Sequence, residues 1–429
     1  MVREGANDLM SELPNYLIDH IFSFVPTNDV VKASIWSRSW RHRWWTHVEN
    51  LEILDLHVAK EADYIVLISF CNFMMRLDEQ RPWGKTLQRF SLNLPTHFFH
   101  RWVDKWISFA IRNKVKHLCL NLMQTCMLPD FMCNHFELEG LHIAHSSFSY
   151  KCPGFDWPCL EKLSLTDVLL SKDTLSKIFL GSPVLQLLKL ERCTGLNRIE
   201  IEESQGLREL VIDSHRGDAH LEIIAPSLLI LRLRGHYGAL KLTKVSSVVE
   251  AELDFYLPED CFLSNVFKDV LNKLQHVSTL HICGWCNEQM VSRAGYNCPE
   301  LSKCKHLIID SGIDQLDLYG VTSLLARSPH LDKLELRNLQ VDHCDRKFSH
   351  GKRKWNDAFS DGDMLCRSRK YIFKSLVKYL KKHVKTLVIR WSDAATGQPM
   401  TRAFDLGDGG KEMVQSLAQQ ISSYPGVCP

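Results

Sequence analysis

Leu185-Gln186-Leu187-Leu188-Lys189-Leu190, Leu207-Arg208-Glu209-Leu210-Val211-Ile212 and Leu228-Leu229-Ile230-Leu231-Arg232-Leu233 are one pattern written three times. Apolar residues hold the first, fourth and sixth places. The fourth-to-sixth step is the two-residue period of a strand with one buried face. The pattern recurs at Leu160–Leu165, Val277–Ile282, Leu331–Leu336 and Val384–Ile389. With the middle apolar residue as marker, the series runs 90, 118, 141, 163, 188, 210, 231, 251, 280, 307, 334 and 387. Between 118 and 231 the gaps are 23, 22, 25, 22 and 21 residues. A fixed period of this size means stacked units, none able to bury its apolar face alone.

Units of this length and spacing are leucine-rich repeats. The expected fold is therefore a mixed α/β (α+β) solenoid, an irregular horseshoe with a parallel sheet. At about 4.7–4.9 Å per strand it would form an arc about 50 Å long. Leu196, Ile199, Ile201, Leu221 and Ile223 fall midway between main strands and predict a second, convex-side strand there instead of a helix. The Asn or Cys that regular repeats carry three residues past the strand occurs once, as Cys193, so an even ladder is not expected. With the leucines inward, alternate residues face the concave solvent side. Those are Lys162, Ser164 and Thr166, then Lys189 and Glu191, then Glu209 and Asp213. Arg232 and Arg234 follow, then Glu250, Glu252 and Asp254, then His281, and later Lys333, Glu335 and Arg337. A rigid concave surface is where repeat proteins seat partners. Lys189, Glu209, Arg232, Arg234, Glu250, Glu252, Asp254 and His281 are the candidate residues for holding a target protein. Each of these charges alone reads as solvated and of little consequence for stability.

The first fifty residues follow a different rule. Pro14 suits the first turn of a helix. Leu17, Ile18, Ile21 and Phe22 recur at helical spacing, and Pro26 ends the run. Thr27 can cap a second helix carrying Val30, Val31, Ser34 and Ile35, and Ser37 a third that places Trp40 and Trp44 on one face. Three helices in so short a span bury little surface alone, so a partner is expected on one side. Leu13-Pro14, then Phe24-Val25-Pro26-Thr27, then Ser34-Ile35-Trp36-Ser37-Arg38-Ser39-Trp40 resemble, in that order, the F-box, and with the repeats the chain resembles plant F-box proteins of the leucine-rich-repeat type. That resemblance implies docking on a Skp-family adaptor and through it a cullin–RING ubiquitin ligase, with the repeats holding a protein substrate. Leu13, Pro14, Ile18, Ile21, Val31, Ser34, Ser37 and Trp40 would then line the adaptor interface.

The division that follows is a tail over 1–8, the F-box over 9–48 and a connecting helical segment over 49–85, with a helix over 62–77. The repeats run from 86 to 391, with a helix at Arg101–Ile107 and a polar insert at 343–369. A tail over 392–429 carries a short helix from Lys411 to Ile421. Net charge is +2 over 429 residues, which gives no reason to expect nucleic acid or an anionic membrane as partner. Fifteen cysteines in apolar settings read as reduced thiols of an intracellular protein, nuclear or cytoplasmic. No signal-peptide pattern is visible at Met1–Met10, and the apolar stretch Tyr64–Met75 is too short to span a bilayer.

Few motifs suggest chemistry. Cys283-Gly284-Trp285-Cys286, with Cys298 and Cys304 downstream, is the one basis for a redox or metal-dependent enzyme, but the downstream spacing is irregular for zinc. His97 and His100 flank two phenylalanines and read as packed. Gly407-Asp408-Gly409-Gly410 lacks the Lys-Ser/Thr of a phosphate loop. The basic cluster Arg346, Lys347, Lys352, Arg353 and Lys354, with Arg367, Arg369 and Lys370, reads as a solvated loop in preference to a nuclear import signal. No catalytic residue, metal or cofactor is expected. A non-catalytic ligase receptor is the leading reading, against the cysteine enzyme or an F-box scaffold outside any ligase.

Overall fold

The computed structural model describes residues 13–25, 50–53, 86–94, 100–148, 153–201, 206–215, 220–256, 266–283, 299–310, 315–337, 380, 384–392 and 399–406. The chain forms two compact units, Met1–Leu207 and Arg208–Pro429. Val31, Ser34, Ser37, Trp40, the helix expected over 62–77, the insert at 343–369 and the helix expected at Lys411–Ile421 lie outside the described residues. So do His97, Cys286, Cys298 and the basic cluster.

The first unit opens with helix α1 (Asn15–Phe24), then strands β1 (Asn50–Ile53) and β2 (Arg89–Leu94), helix α2 (His100–Arg112), and strands β3 (His117–Met127), β4 (Gly140–Ser147) and β5 (Lys162–Thr166). Helix α3 (Lys172–Gly181) and strands β6 (Leu187–Glu191) and β7 (Arg198–Glu200) complete it. Strands β1 to β6 pair in chain order, all parallel, and the marker residues stack in register: Phe90, Leu118, Leu141, Leu163 and Leu188 are successive partners. All five are at most 2% exposed. A one-residue slip would turn every leucine to the other face, so burial fixes the register.

In the second unit come β8 (Glu209–His215), β9 (His220–Ile224), β10 (Ile230–His236), β11 (Ala239–Thr243), β12 (Glu250–Tyr256), α4 (Val266–Lys273) and β13 (Thr279–Ile282). They are followed by β14 (His306–Asp310), α5 (Gln315–Ala326), β15 (Lys333–Arg337), β16 (Thr386–Ser392) and β17 (Pro399–Asp405). The main sheet runs β8-β10-β12-β13-β14-β15-β16 in parallel. Leu210, Leu231, Ala251, Leu280, Leu307, Leu334 and Leu387 are again in register and buried.

Repeat length decides what covers the back of the sheet. Where markers are 20–22 residues apart, as from Leu188 through Leu210 and Leu231 to Ala251, the return segment is a strand: β7, β9 or β11. Strands β9 and β11 pair in parallel, aligning Leu221 with Leu240 and Ile223 with Leu242. Where markers are 25–29 apart there is chain enough for a helix, as in α3 (Leu163 to Leu188), α4 (Ala251 to Leu280) and α5 (Leu307 to Leu334). Helix α3 is capped by the Ser171 hydroxyl, which accepts from the Thr174 N–H at 3.0 Å, and it buries Leu175, Ile178 and Phe179. Helix α2, expected over Arg101–Ile107, buries Val103, Trp106, Ile107 and Phe109.

Two boundaries need correction. The segment 49–85, expected to be helical, begins with β1, which pairs with β2 and adds a strand before the first marker. The tail 392–429, expected to hold only a helix, contributes β17, an antiparallel partner that pairs Ile389 with Arg402 and Ser392 with Pro399. Proline at the first residue of an edge strand removes no ladder bond that the sheet needs. The cysteine reading is also corrected in part. Cys119, Cys159, Cys193, Cys283 and Cys304 are reduced, but Cys133 is disulfide-bonded.

Candidate protein-interaction surfaces

Helix α1 starts at Pro14, whose carbonyl accepts from Leu17 and Ile18 N–H at 3.0 and 3.2 Å. Leu17, Ile21 and Phe24 form one stripe at helical spacing and all are exposed, Phe24 to 75%; Tyr16 beside them is 70% exposed. Leu13 is half-buried and Pro14 exposed. Ile18 is buried, so it packs inward and does not share the exposed stripe with Ile21. Tyr16, Leu17 and Phe24 are absent from the set that the F-box resemblance nominated, and of these the helical spacing named Leu17 alone. An exposed apolar stripe of this kind is a candidate partner site.

The polar residues between the inward leucines do gather on one face of the second unit's sheet. Glu252 lies opposite Arg232 on one side and His281 on the other, and Arg234 lies opposite Asp254. These side chains are not the solvated charges that alternation suggested. Arg232 pairs with Glu209, with Glu250 at 3.0 Å and with Glu252 at 3.4 Å. Arg234 reaches Glu252 at 2.7 Å and Asp213 at 3.9 Å. His281 sits between Asp310 at 2.8 Å and Glu252 at 3.8 Å. Glu252 is only 9% exposed despite facing outward, because long side chains from both neighbouring strands close over it. Burial, opposed by a Cys283 hydrogen bond and assisted by Asp310, pushes the Asp254 carboxyl above its ordinary value.

A second hub lies on the last strands. The Glu335 side chain is 2% exposed and is met by Arg337 at 2.7 Å, Arg390 at 2.9 Å, Lys333 at 3.5 Å and His306 at 3.6 Å. Burial resists ionisation of this carboxyl, but the Arg337 hydrogen bond and the charges of Arg337, Arg390 and Lys333 outweigh it and hold it below the usual glutamate range.

In the first unit Lys189 pairs with Glu191 at 3.0 Å, and that hydrogen bond, with Arg192, holds the Glu191 carboxyl low. His145 within β4, and Asp167 and Arg192 just past the ends of β5 and β6, all adopt left-handed backbone, with φ of 56, 52 and 48°. They form a side-chain ladder, His145 to Asp167 at 3.4 Å and Arg192 to Asp167 at 2.6 Å, which offsets the cost of that conformation in non-glycine residues. One position further along, the Cys193 thiol donates to the Leu165 carbonyl at 3.3 Å. In the second unit the Tyr237 hydroxyl reaches the equivalent carbonyl of Ile212 at 3.4 Å. The repeats thus satisfy one recurring buried acceptor with different donors, which is why no sequence ladder was visible.

Of the cysteine constellation, Cys283 and Cys304 are among the described residues. Cys283 is buried, with its sulfur 4.0 Å from the Phe255 carbonyl, and Cys304 is fully buried with its thiol pushed up to about 12 by burial. A thiol so raised is a poor nucleophile and metal ligand. Among the described residues no group of three or more His, Cys, Asp or Glu could hold a metal ion, and no helix is long and apolar enough to cross a membrane.

The exposed apolar stripe of α1 and the polar face of the leucine-rich parallel sheet are the two candidate surfaces. Residues 83–357 match the family model described as At1g61320/AtMIF1, LRR domain, and residues 10–49 match the F-box domain. Among similar proteins of Arabidopsis thaliana, F-box/LRR-repeat protein At5g02910 is 30% identical over 352 residues, 78% of this chain and 72% of the relative. F-box/LRR-repeat protein At3g03360 is 27% identical over 421 residues, 89% of this chain and 83% of the relative. The chain belongs to the F-box/LRR-repeat family.

Proposed function

We propose that this chain is the non-catalytic substrate-recognition subunit of an SCF-type E3 ubiquitin ligase, working in the cytoplasm or nucleus. The F-box engages a Skp-family adaptor, and through it a cullin–RING assembly. The polar face of the repeats engages a protein target. The chain's contribution to ubiquitin transfer is proximity: a target lysine held near a charged conjugating enzyme meets it at high effective concentration.

The observation that carries this reading is the exposed stripe of Leu17, Ile21 and Phe24 on a helix inside an F-box match. Substituting Leu17→Asp with Ile21→Asp places two charges where the adaptor would bury apolar surface. The expected result is loss of co-purification with a co-expressed Skp-family adaptor, while the melting of the repeats is unchanged. Undiminished adaptor binding by that variant refutes the assignment.

A further inference from the structure

The polar face of the second unit's sheet is divided by sign. Over β8 to β14 the carboxylates of Glu209, Asp213, Glu250, Glu252, Asp254 and Asp310 are served by two full cations, Arg232 and Arg234, with His281 between Glu252 and Asp310. Among the described residues no cation lies within ion-pair distance of Asp254. Over β15 and β16 the imbalance reverses: Lys333, Arg337 and Arg390 converge on the single carboxylate of Glu335. Among the described residues one half of the face therefore carries more anions than cations and the other more cations than anions.

The distance between the halves follows from the register. Glu252, His281, Ile308 and Glu335 are successive partners on β12, β13, β14 and β15. Three steps of about 4.8 Å separate the hubs by about 14 Å. At the join Asp310 on β14 lies opposite Arg337 on β15, one strand step apart, so the spacing of about 14 Å holds between the two hubs and not between all the charges of the two halves. Between the hubs Ile308 lies on the floor of the face, buried to 8% exposure. Charges remain reachable on both sides: the Glu250 side chain is 39% exposed and that of Arg390 50%.

Resting on the reading of this face as the target surface, we propose that its occupant is an extended protein segment of mixed charge, crossing the strands. A basic side chain lies over β12 to β14, an acidic one over β15 and β16, and about four residues separate them at about 3.3 Å per extended residue. A polyanion fits only the smaller, cationic half. A small molecule does not span both. The residues between the two charges are small or apolar, to lie over Ile308.

Nine-residue peptides in a neutral, strand-forming frame test this against the full chain bound to its adaptor, by fluorescence anisotropy. The set holds Lys and Glu four residues apart in both orders, Lys and Glu adjacent, Lys alone, Glu alone, and a polyglutamate. At least one four-apart order is expected to bind about five- to tenfold tighter than either single-charge peptide, the size of one or two partly exposed ion pairs. Asp254→Asn with Asp310→Asn should erase the advantage conferred by Lys and spare that of Glu. Arg337→Gln with Arg390→Gln should do the converse, and circular dichroism of both variants should match the parent. Equal binding by adjacent and four-apart charges, or by polyglutamate, overturns the mixed-charge partner. Preferences that survive both variants show that the peptides dock elsewhere. If adaptor binding persists while the peptides show no charge preference, this inference alone fails; if adaptor binding is lost, the ligase reading fails separately.

Discussion

Replacing Glu335 with Ala removes the anion on which the cations of two strands converge. Its side chain is 2% exposed, whereas those of Arg337, Arg390, Lys333 and His306 are 26–50% exposed. Two of the pairs, with Arg337 at 2.7 Å and Arg390 at 2.9 Å, are at direct contact distance. Interactions of this charged kind contribute about 1.5–3 kcal/mol each. The stranded cations recover part of their hydration because they are half-exposed, which discounts the sum by about half. The expected loss is about 2–3 kcal/mol, or a fall of about 5–10 °C in the melting temperature of a unit this size. Arg390→Ala should cost under about 1 kcal/mol, since Glu335 keeps its other partners and Arg390 is the most exposed of the four. Because the folded carboxyl titrates below its ordinary value, its stabilisation is fully present above about pH 4.3 and is lost as pH falls through the folded value. Urea unfolding of parent and variants at pH 7 and at pH 3 measures both effects, and the difference between parent and Glu335→Ala should narrow toward the acid end. A loss below about 0.5 kcal/mol at pH 7, or an Arg390→Ala loss equal to it, would refute the view of Glu335 as a hub.

Asp254→Asn is expected to raise the melting temperature at pH 7.5. The folded carboxyl titrates above its ordinary value, so ionising it costs stability, and the gain should vanish as pH falls below about 3.9; a lower melting temperature at pH 7.5 contradicts this. Trp157→Phe in the first unit should cost about 2–3 kcal/mol, measured as a shift of the urea midpoint. Trp157 is fully buried and its indole N–H donates to the Met132 carbonyl at 2.8 Å, so the change leaves a void and an unpaired acceptor. A cost under about 1 kcal/mol would mean that the site relaxes.

Sequence alone determined the stack and its register. The twelve marker positions pair as successive partners within each unit because alternation by two commits each strand to one buried face, and a parallel stack of such faces has one register that buries all of them. It also determined the return strands at β7 and β9, where the spacing leaves too little chain for a helix. It did not show β1 or β17. Asn50-Leu51-Glu52-Ile53 is too short to stand out, and Pro399–Asp405 carries proline and an arginine that argue against a strand until β16 offers an edge. On α1 the helix was legible, but which apolar residues stay wet was not, since packing took Ile18 inward and left Leu17, Ile21 and Phe24 outside. The polar face divides in the same way. Alternation named the outward side chains, yet Glu252 and Glu335 are buried there because Arg232, His281 and Arg390 reach them from other strands, up to 55 residues away in the chain. Such pairing depends on side-chain reach between stacked neighbours, and only the tertiary structure sets that distance.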